Sequence, residues 1–268
     1  MSLSPVPAPP RPFDDDDEED ESVGGKMSFL EHLDELRQRL IKALGGVILG
    51  FVVAILFIDR IYNFIMAPLQ AVLPGGGKLI YTEPTEAFLL YMKMAALAGL
   101  LIALPILLWQ LWAFIAPGLY AHEKRFAIPF VMMSTIFFTM GCAFSHYVAF
   151  PAAWTFFGSF ASDTLQFAPR IEPVFSLYVR MALGLGVVFE MPTLVMFLAR
   201  VGMVTPKFLL RHTKYAILII FIVAAIVTPG SDPLSLFLVA VPMIGLYGFS
   251  IIVAWVFKKR PPKIQPAA

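Results

Sequence analysis

Three glutamates that stand apart from the acidic N-terminal run occupy positions suited to binding chemistry. Glu35 precedes the first long apolar segment, Glu123 lies between two apolar segments, and Glu190 lies inside one. A carboxylate accepts two parallel hydrogen bonds from a guanidinium group, and a carboxylate among apolar residues is costly and usually functional. These three residues are therefore the first candidates for a functional site.

Glu35 belongs to a predicted amphipathic helix over residues 28–40. Apolar residues recur there at helical spacing and fall on one side, at Phe29, Leu33, Leu36 and Leu40. Glu35 is one turn from Arg39, so a salt bridge within the helix is one interpretation. The other is that Glu35 binds a basic ligand, for which a guanidinium group has the best geometry.

Glu123 lies in a predicted turn at residues 116–125, directly before Lys124 and Arg125. Aromatic residues precede this turn, among them Trp112 and Phe114. A solvated charge in a turn is the ordinary explanation of Glu123. Composition alone does not decide between that explanation and a binding role.

Glu190 differs because residues 183–192 place it near the middle of a long apolar segment. A charge at the centre of a membrane helix costs about 3 kcal/mol on insertion scales, so such residues usually face protein or water and serve function. The alternative is a structural hydrogen bond to a neighbouring helix. We favour the functional interpretation.

Catalytic and metal chemistry find no support in the sequence. The one cysteine, Cys142, lies in an apolar segment, and the four histidines are far apart without metal-ligand spacing. We find no nucleophile elbow, no zinc-protease motif and no Walker A sequence. We therefore predict a protein that is not an enzyme and has no cofactor or metal. The net charge of +1, with Lys and Arg in short clusters between apolar segments, predicts that it does not bind nucleic acid.

The composition predicts an all-α integral membrane protein. The hydrophobic fraction is 59% and the charged fraction 15%, against about 25% charged residues in soluble domains. A bilayer core takes about 20 apolar residues per helix. Six segments qualify, the fifth of them short, near residues 40–58, 87–113, 126–149, 174–199, 215–227 and 234–257.

The distribution of Lys and Arg predicts that both termini are cytoplasmic. Basic clusters precede the first segment, follow the second and the sixth, and separate the fourth from the fifth, which places them all on one side. The opposite loops, near 59–86, 150–173 and 229–233, hold few basic residues. We predict a disordered acidic tail at 1–27, a six-span domain at 28–257 and a basic tail at 258–268.

Two sequence features predict how the spans pack. Prolines inside the spans remove helix hydrogen bonds and favour bends, at Pro105, Pro129, Pro192 and Pro242. Gly46 and Gly50 form a G-x-x-x-G pattern in the first span, which permits close helix contact. Both patterns are common in membrane helices, so neither identifies a function.

Four ordered motifs resemble those of TatC, the signal-recognising core of the twin-arginine protein translocase. They are HLDELRQR at residues 32–39, APL at 67–69, WAFIAPGLY with HEKR at 112–125, and FEMP at 189–192. The resemblance covers about residues 28–257. It implies a bowl of bent helices, with short fifth and sixth helices, in a cell inner membrane.

The resemblance also implies a binding function. Members of this family recognise paired arginines in the signal peptides of folded cargo, and transport is driven by the proton motive force. It implies that Glu35 and Glu123 bind the arginines, with Arg37, Phe114 and Pro68 contributing. It makes Glu190 the contact for the single-span partners TatA and TatB, in a complex with other TatC copies.

A secondary transporter is the main alternative, with Glu190 as a carrier of protons or cations and the bent helices as moving elements. Such transporters often contain inverted repeats and paired broken helices. We find no convincing internal repeat.

Overall fold

The computed structural model describes residues 29–71, 79–115, 127–161, 168–228 and 233–257. Their regular structure is helical apart from one isolated bridge between Ile80 and Arg170. The helices are α1 (Phe29–Leu56), α2 (Ile58–Gln70), α3 (Pro84–Ile102), α4 (Leu104–Ile115), α5 (Ala127–Phe144), α6 (Phe150–Gly158), α7 (Ile171–Phe189), α8 (Met191–Val201), α9 (Pro206–Arg211), α10 (Thr213–Val227) and α11 (Pro233–Phe257), with a π-helical turn at Ser145–Ala149. The chain divides into two units, Met1–Gln38 and Arg39–Ala268, and the packing described below belongs to the second.

Among the described residues, five helical segments have the length and apolar composition to cross a membrane. They are Glu31–Leu56, Pro84–Ile102, Ile128–Gly158, Ile171–Val201 and Ser235–Phe257. The predicted fifth span corresponds to α10, a shorter apolar helix of 15 residues. At 1.5 Å per residue α10 is about 22 Å long, which is less than a typical bilayer core. The all-helical fold is confirmed, and the count of six spans stays a prediction. The expectation of a short sixth helix was wrong, because α11 continues through Pro242 for 25 residues.

Two of the four prolines end helices as predicted. The second predicted span divides at Ala103, just before Pro105, and the fourth divides at Glu190, just before Pro192. Proline has no amide hydrogen to donate to the preceding turn, so the helix is interrupted there. Pro129 instead lies in the first turn of α5, and Pro242 lies inside the continuous helix α11.

Two segments predicted as loops are helical. Pro68 lies inside α2, and α6 extends the third predicted span from residue 149 to Gly158. The helix forms because Ile65, Met66 and Leu69 are buried, which gives α2 one packed face.

The buried apolar side chains form two clusters in the second unit. The larger one joins most of the helices from α2 to α11, and Phe150, Phe175 and Met181 are among its largest fully buried members. The smaller one joins α4 to α5 through Leu104, Leu108, Trp112, Val131 and Phe138.

Glycines let some helix backbones touch. A Cβ atom added at Gly50 of α1 would lie 2.3 Å from the carbonyl oxygen of Gly99 in α3, and one added at Gly141 of α5 would lie 2.5 Å from that of Leu185 in α7. No other residue fits at so close an approach, since even alanine would clash. The predicted close contact at the G-x-x-x-G pattern is confirmed at Gly50, whereas Gly46 faces the side chain of Ile106.

A polar contact joins the segments that precede α3 and α7. The amide of Ile80 donates to the carbonyl of Pro169 (3.3 Å), and the amide of Ile171 donates to the carbonyl of Ile80 (3.0 Å). The Arg170 guanidinium pairs with the buried carboxylate of Glu86. We call these contacts the Ile80–Arg170 clasp, and they fix the N-terminal ends of α3 and α7 side by side.

We expect Gly50→Ala to destabilise the protein by about 1–3 kcal/mol, because its methyl group would overlap the Gly99 carbonyl. Thermal unfolding in detergent measures the effect. Gly45→Ala is the matched control, since a Cβ there meets nothing within 4 Å. Alanine is the better helix former, so the control variant should be as stable as the parent or more stable. Equal stability of both variants would contradict the close crossing.

Candidate functional site

The predicted signal-binding residues fall in different parts of the structure. Glu35 is partly buried and Arg37 exposed in the first three turns of α1. Phe114 is partly buried in the last turn of α4, and Pro68 is partly buried in α2. Glu123 lies outside the described residues, so its predicted proximity to Glu35 stays a prediction.

Glu190 occupies the junction between α7 and α8. Its amide donates to the carbonyl of Val187 (3.1 Å), and its carbonyl accepts from the amide of Leu194 (2.9 Å). The residue therefore ends one helix and begins the next, with Pro192 in the first turn of α8. This junction holds the Glu190 side chain at a fixed point along an otherwise apolar segment.

Hydroxyl groups from two helices surround the Glu190 carboxyl. Ser134 of α5 and Thr193 of α8 are both fully buried, and both hydroxyls lie within interaction range of the carboxyl group. Trp112 of α4 donates from Nε1 to the Ser134 Oγ atom at 2.8 Å. We call Trp112, Ser134, Glu190 and Thr193 the Glu190 cluster.

The Glu190 cluster retains unused hydrogen-bonding capacity. Within the described part of the chain, the buried atoms Glu190 Oε1 and Thr193 Oγ1 have no hydrogen-bond partner of good geometry. Buried polar atoms are nearly always paired, so these two neighbouring atoms are candidates for a further polar contact.

The sequence predicted Glu190 but missed two of its neighbours. Thr193 was detectable in principle, because it follows Glu190 by three residues and so lies on the same side of a helix. Ser134 is 56 positions away from Glu190 in the chain, and no spacing rule links them. Two ion pairs among the described residues were also missed. Lys93 pairs with Glu172, both half-exposed, and Arg170 pairs with the buried Glu86.

His146 is a further buried titratable group near the helix interfaces. It lies in the π-helical turn, contacts the Tyr178 hydroxyl through Nδ1 at 3.1 Å, and stacks on Phe64 at 4.2 Å between ring centres. Among the described residues, no three His, Cys, Asp or Glu side chains are placed to hold a metal ion. The contacts of His146 join α2, α7 and the π-helical turn.

Comparison with known proteins gives a consistent result. A family model described as Sec-independent protein translocase protein (TatC) matches residues 31–242. The TatC of Desulforapulum autotrophicum is 42% identical over 235 residues, which cover 88% of this chain and 87% of that protein. The TatC of Koribacter versatilis is 43% identical over 234 residues, covering 85% of each.

Solved structures agree with these relatives. A crystal structure of a twin-arginine translocase receptor, TatC, superposes with a TM-score of 0.72 at 33% identity, covering 85% of this chain and 99% of that one. A second, in the detergent DDM, gives a TM-score of 0.73 at the same identity. The matched region contains Glu35, Glu123 and Glu190. The chain therefore belongs to the TatC family of Sec-independent protein translocase proteins, which are multi-pass membrane transport components rather than enzymes.

Proposed function

We propose that this chain is the signal-recognition subunit of a twin-arginine translocase in a cell inner membrane, with both termini in the cytoplasm. The observation that carries the proposal is the family match over residues 31–242, which includes all three candidate glutamates. A solved relative is described as a twin-arginine translocase receptor. The placement of Lys and Arg on one side of the spans supports the proposed orientation.

In this proposal Glu35 and Glu123 bind the two arginines of a signal peptide. Each guanidinium group presents a planar fork of donors that matches a carboxylate, whereas a lysine ammonium is a point charge. Two carboxylates therefore favour an Arg-Arg pair over Lys-Lys. Arg37, Phe114 and Pro68 support the site, and the placement of Phe114 near the end of α4 leads directly into the stretch that carries Glu123.

The Glu190 cluster contacts single-span subunits of the TatA and TatB type. The two unpaired atoms, Glu190 Oε1 and Thr193 Oγ1, support this role. In lipid, hydrogen bonds between polar side chains hold helices together because the alternative is an unsatisfied group in hydrocarbon. A polar side chain on a partner helix would complete the cluster, and other copies of this chain would join the same complex.

The proton motive force drives export in this proposal, as the resemblance to the family implies, and the sequence itself contains no Walker A motif. The competing function is a secondary transporter in which Glu190 carries protons or cations. Solute flux into liposomes that contain this chain alone would support the transporter and contradict the translocase.

We expect Glu35→Ala and Glu123→Ala each to weaken binding of an Arg-Arg signal peptide at least about tenfold. Each variant loses charged hydrogen bonds worth about 1.5–3 kcal/mol apiece. Photo-crosslinking of an Arg-Arg peptide and its Lys-Lys counterpart to each variant measures both affinity and selectivity.

Glu31→Ala is the matched control, because Glu31 is an exposed glutamate one turn before Glu35 on the same helix. The Glu31→Ala variant should crosslink to the Arg-Arg peptide as efficiently as the parent protein does. If the Glu35 and Glu123 variants crosslink to the Arg-Arg peptide as strongly and as selectively as the parent, neither residue belongs to the signal-binding site.

We expect Glu190→Ala to reduce recovery of single-span partners strongly, and Thr193→Val to reduce it roughly fivefold, since one intramembrane hydrogen bond contributes about 1 kcal/mol. Co-purification from membranes measures recovery. Binding of the Arg-Arg peptide should stay unchanged in both variants.

Thr139→Val provides the control for the loss of a hydroxyl, because Thr139 is exposed and donates only to the carbonyl of Thr135 in its own helix among the described contacts. Equal partner recovery with Glu190→Ala and the parent would contradict the proposed contact.

A further inference from the structure

A groove of about 410 Å³ runs between α3 and α7. Its α3 wall follows one face of the helix, because residues 93, 96, 97 and 100 are spaced by three, one and three positions. The lining is apolar except at Lys93 and Ser176. The full set is Lys93, Ala96, Leu97, Leu100, Phe175, Ser176, Val179 and Leu183.

One end of the groove carries an ion pair. Lys93 Nζ lies 3.2 Å from Glu172 Oε1, and the two side chains are 48% and 50% exposed. Glu172 lies in the first turn of α7, and the Ile80–Arg170 clasp lies just beyond it along the chain. The groove is therefore charged at the end near the clasp and, apart from Ser176, apolar along the rest of its length.

The ion pair has hydrogen-bonding capacity left over. A lysine ammonium has three donors, and the pairing with Glu172 uses one of them within the described residues. The second carboxylate oxygen of Glu172 is an acceptor that this pairing does not use. The two residues thus present donors and an acceptor side by side, which suits a ligand with both an anionic and a cationic group.

The length and lining of the groove suit a hydrocarbon chain. From Lys93 to Leu100, α3 rises about 10 Å, and the lining along that length is apolar apart from Ser176. The paired charges of Lys93 and Glu172 at one end match a headgroup that carries both a phosphate and an ammonium group.

We propose that the groove between α3 and α7 binds one acyl chain of a phospholipid whose headgroup carries a phosphate and a primary amine. The acyl chain lies along Leu97, Leu100 and Val179. The phosphate accepts hydrogen bonds from Lys93, and the ammonium group donates to Glu172. The lipid belongs to the leaflet that contains the N-terminal ends of α3 and α7.

Native mass spectrometry of the purified full chain tests the proposal. The detergent-solubilised protein is mixed with equal amounts of phosphatidylethanolamine, phosphatidylcholine and phosphatidylglycerol that have identical acyl chains. Phosphatidylcholine keeps the phosphate but has no N–H donors, and phosphatidylglycerol keeps the phosphate without an amine. We expect at least threefold greater retention of phosphatidylethanolamine than of either other lipid.

Two variants test recognition of the lipid headgroup and binding of the acyl chain separately. Combined Lys93→Gln and Glu172→Gln should abolish the preference for phosphatidylethanolamine, and Ala96→Phe should fill the groove and lower retention of all three lipids. Arg180→Gln and Leu89→Phe, at exposed positions of α7 and α3 outside the groove lining, should retain lipid like the parent.

Equal retention of the three lipids by the parent would overturn the proposed headgroup recognition. Undiminished retention in Ala96→Phe would overturn the placement in the groove. A photoreactive residue at Leu100 that labels the apolar segment of a signal peptide, and no lipid, would assign the groove to peptide instead.

Discussion

The cost of a carboxyl group inside an apolar helix is the constraint on which this structure depends. Glu190 lies at the junction between α7 and α8, where Pro192 interrupts the helix. The hydroxyls of Ser134 and Thr193 reach the carboxyl from two helices, and Trp112 holds Ser134 in place. Four helices thus converge on one polar point. Because polar atoms of this point remain unpaired in the described chain, the arrangement is suited to receiving a polar group from another helix.

Close backbone contacts contribute to the packing around this point, together with the large side chains of the cluster that joins α4 to α5. Gly141 allows α5 to touch α7 next to Leu185, which brings Ser134 and Glu190 to the same interface. The Ile80–Arg170 clasp fixes α7 beside α3 at their N-terminal ends. Since membrane helices gain little from the hydrophobic effect when they associate, close backbone approach and hydrogen bonds have to supply much of their specificity.

The fold class followed from the sequence because apolar length and charge placement are local properties. The break at Pro192 was predictable for the same reason. The helical state of Pro68 was not, because α2 forms by burying Ile65, Met66 and Leu69 against distant segments. Glu190 was found from its apolar neighbours in sequence, but Ser134 was not, since only tertiary packing brings it near. The pairing of Lys93 with Glu172 likewise depends on two helices that start far apart in the chain.

We propose that signal recognition belongs to Glu35 and Glu123, near the ends of spans, and that partner contact belongs to Glu190, inside a span. The most direct measurement is isotope-edited infrared spectroscopy of the Glu190 carboxyl group in bilayers. We predict that adding a single-span partner shifts the carboxyl vibration of Glu190, because a new hydrogen bond forms at Oε1, and that an Arg-Arg peptide alone leaves it unchanged. A vibration that does not move when the partner is bound would contradict the account.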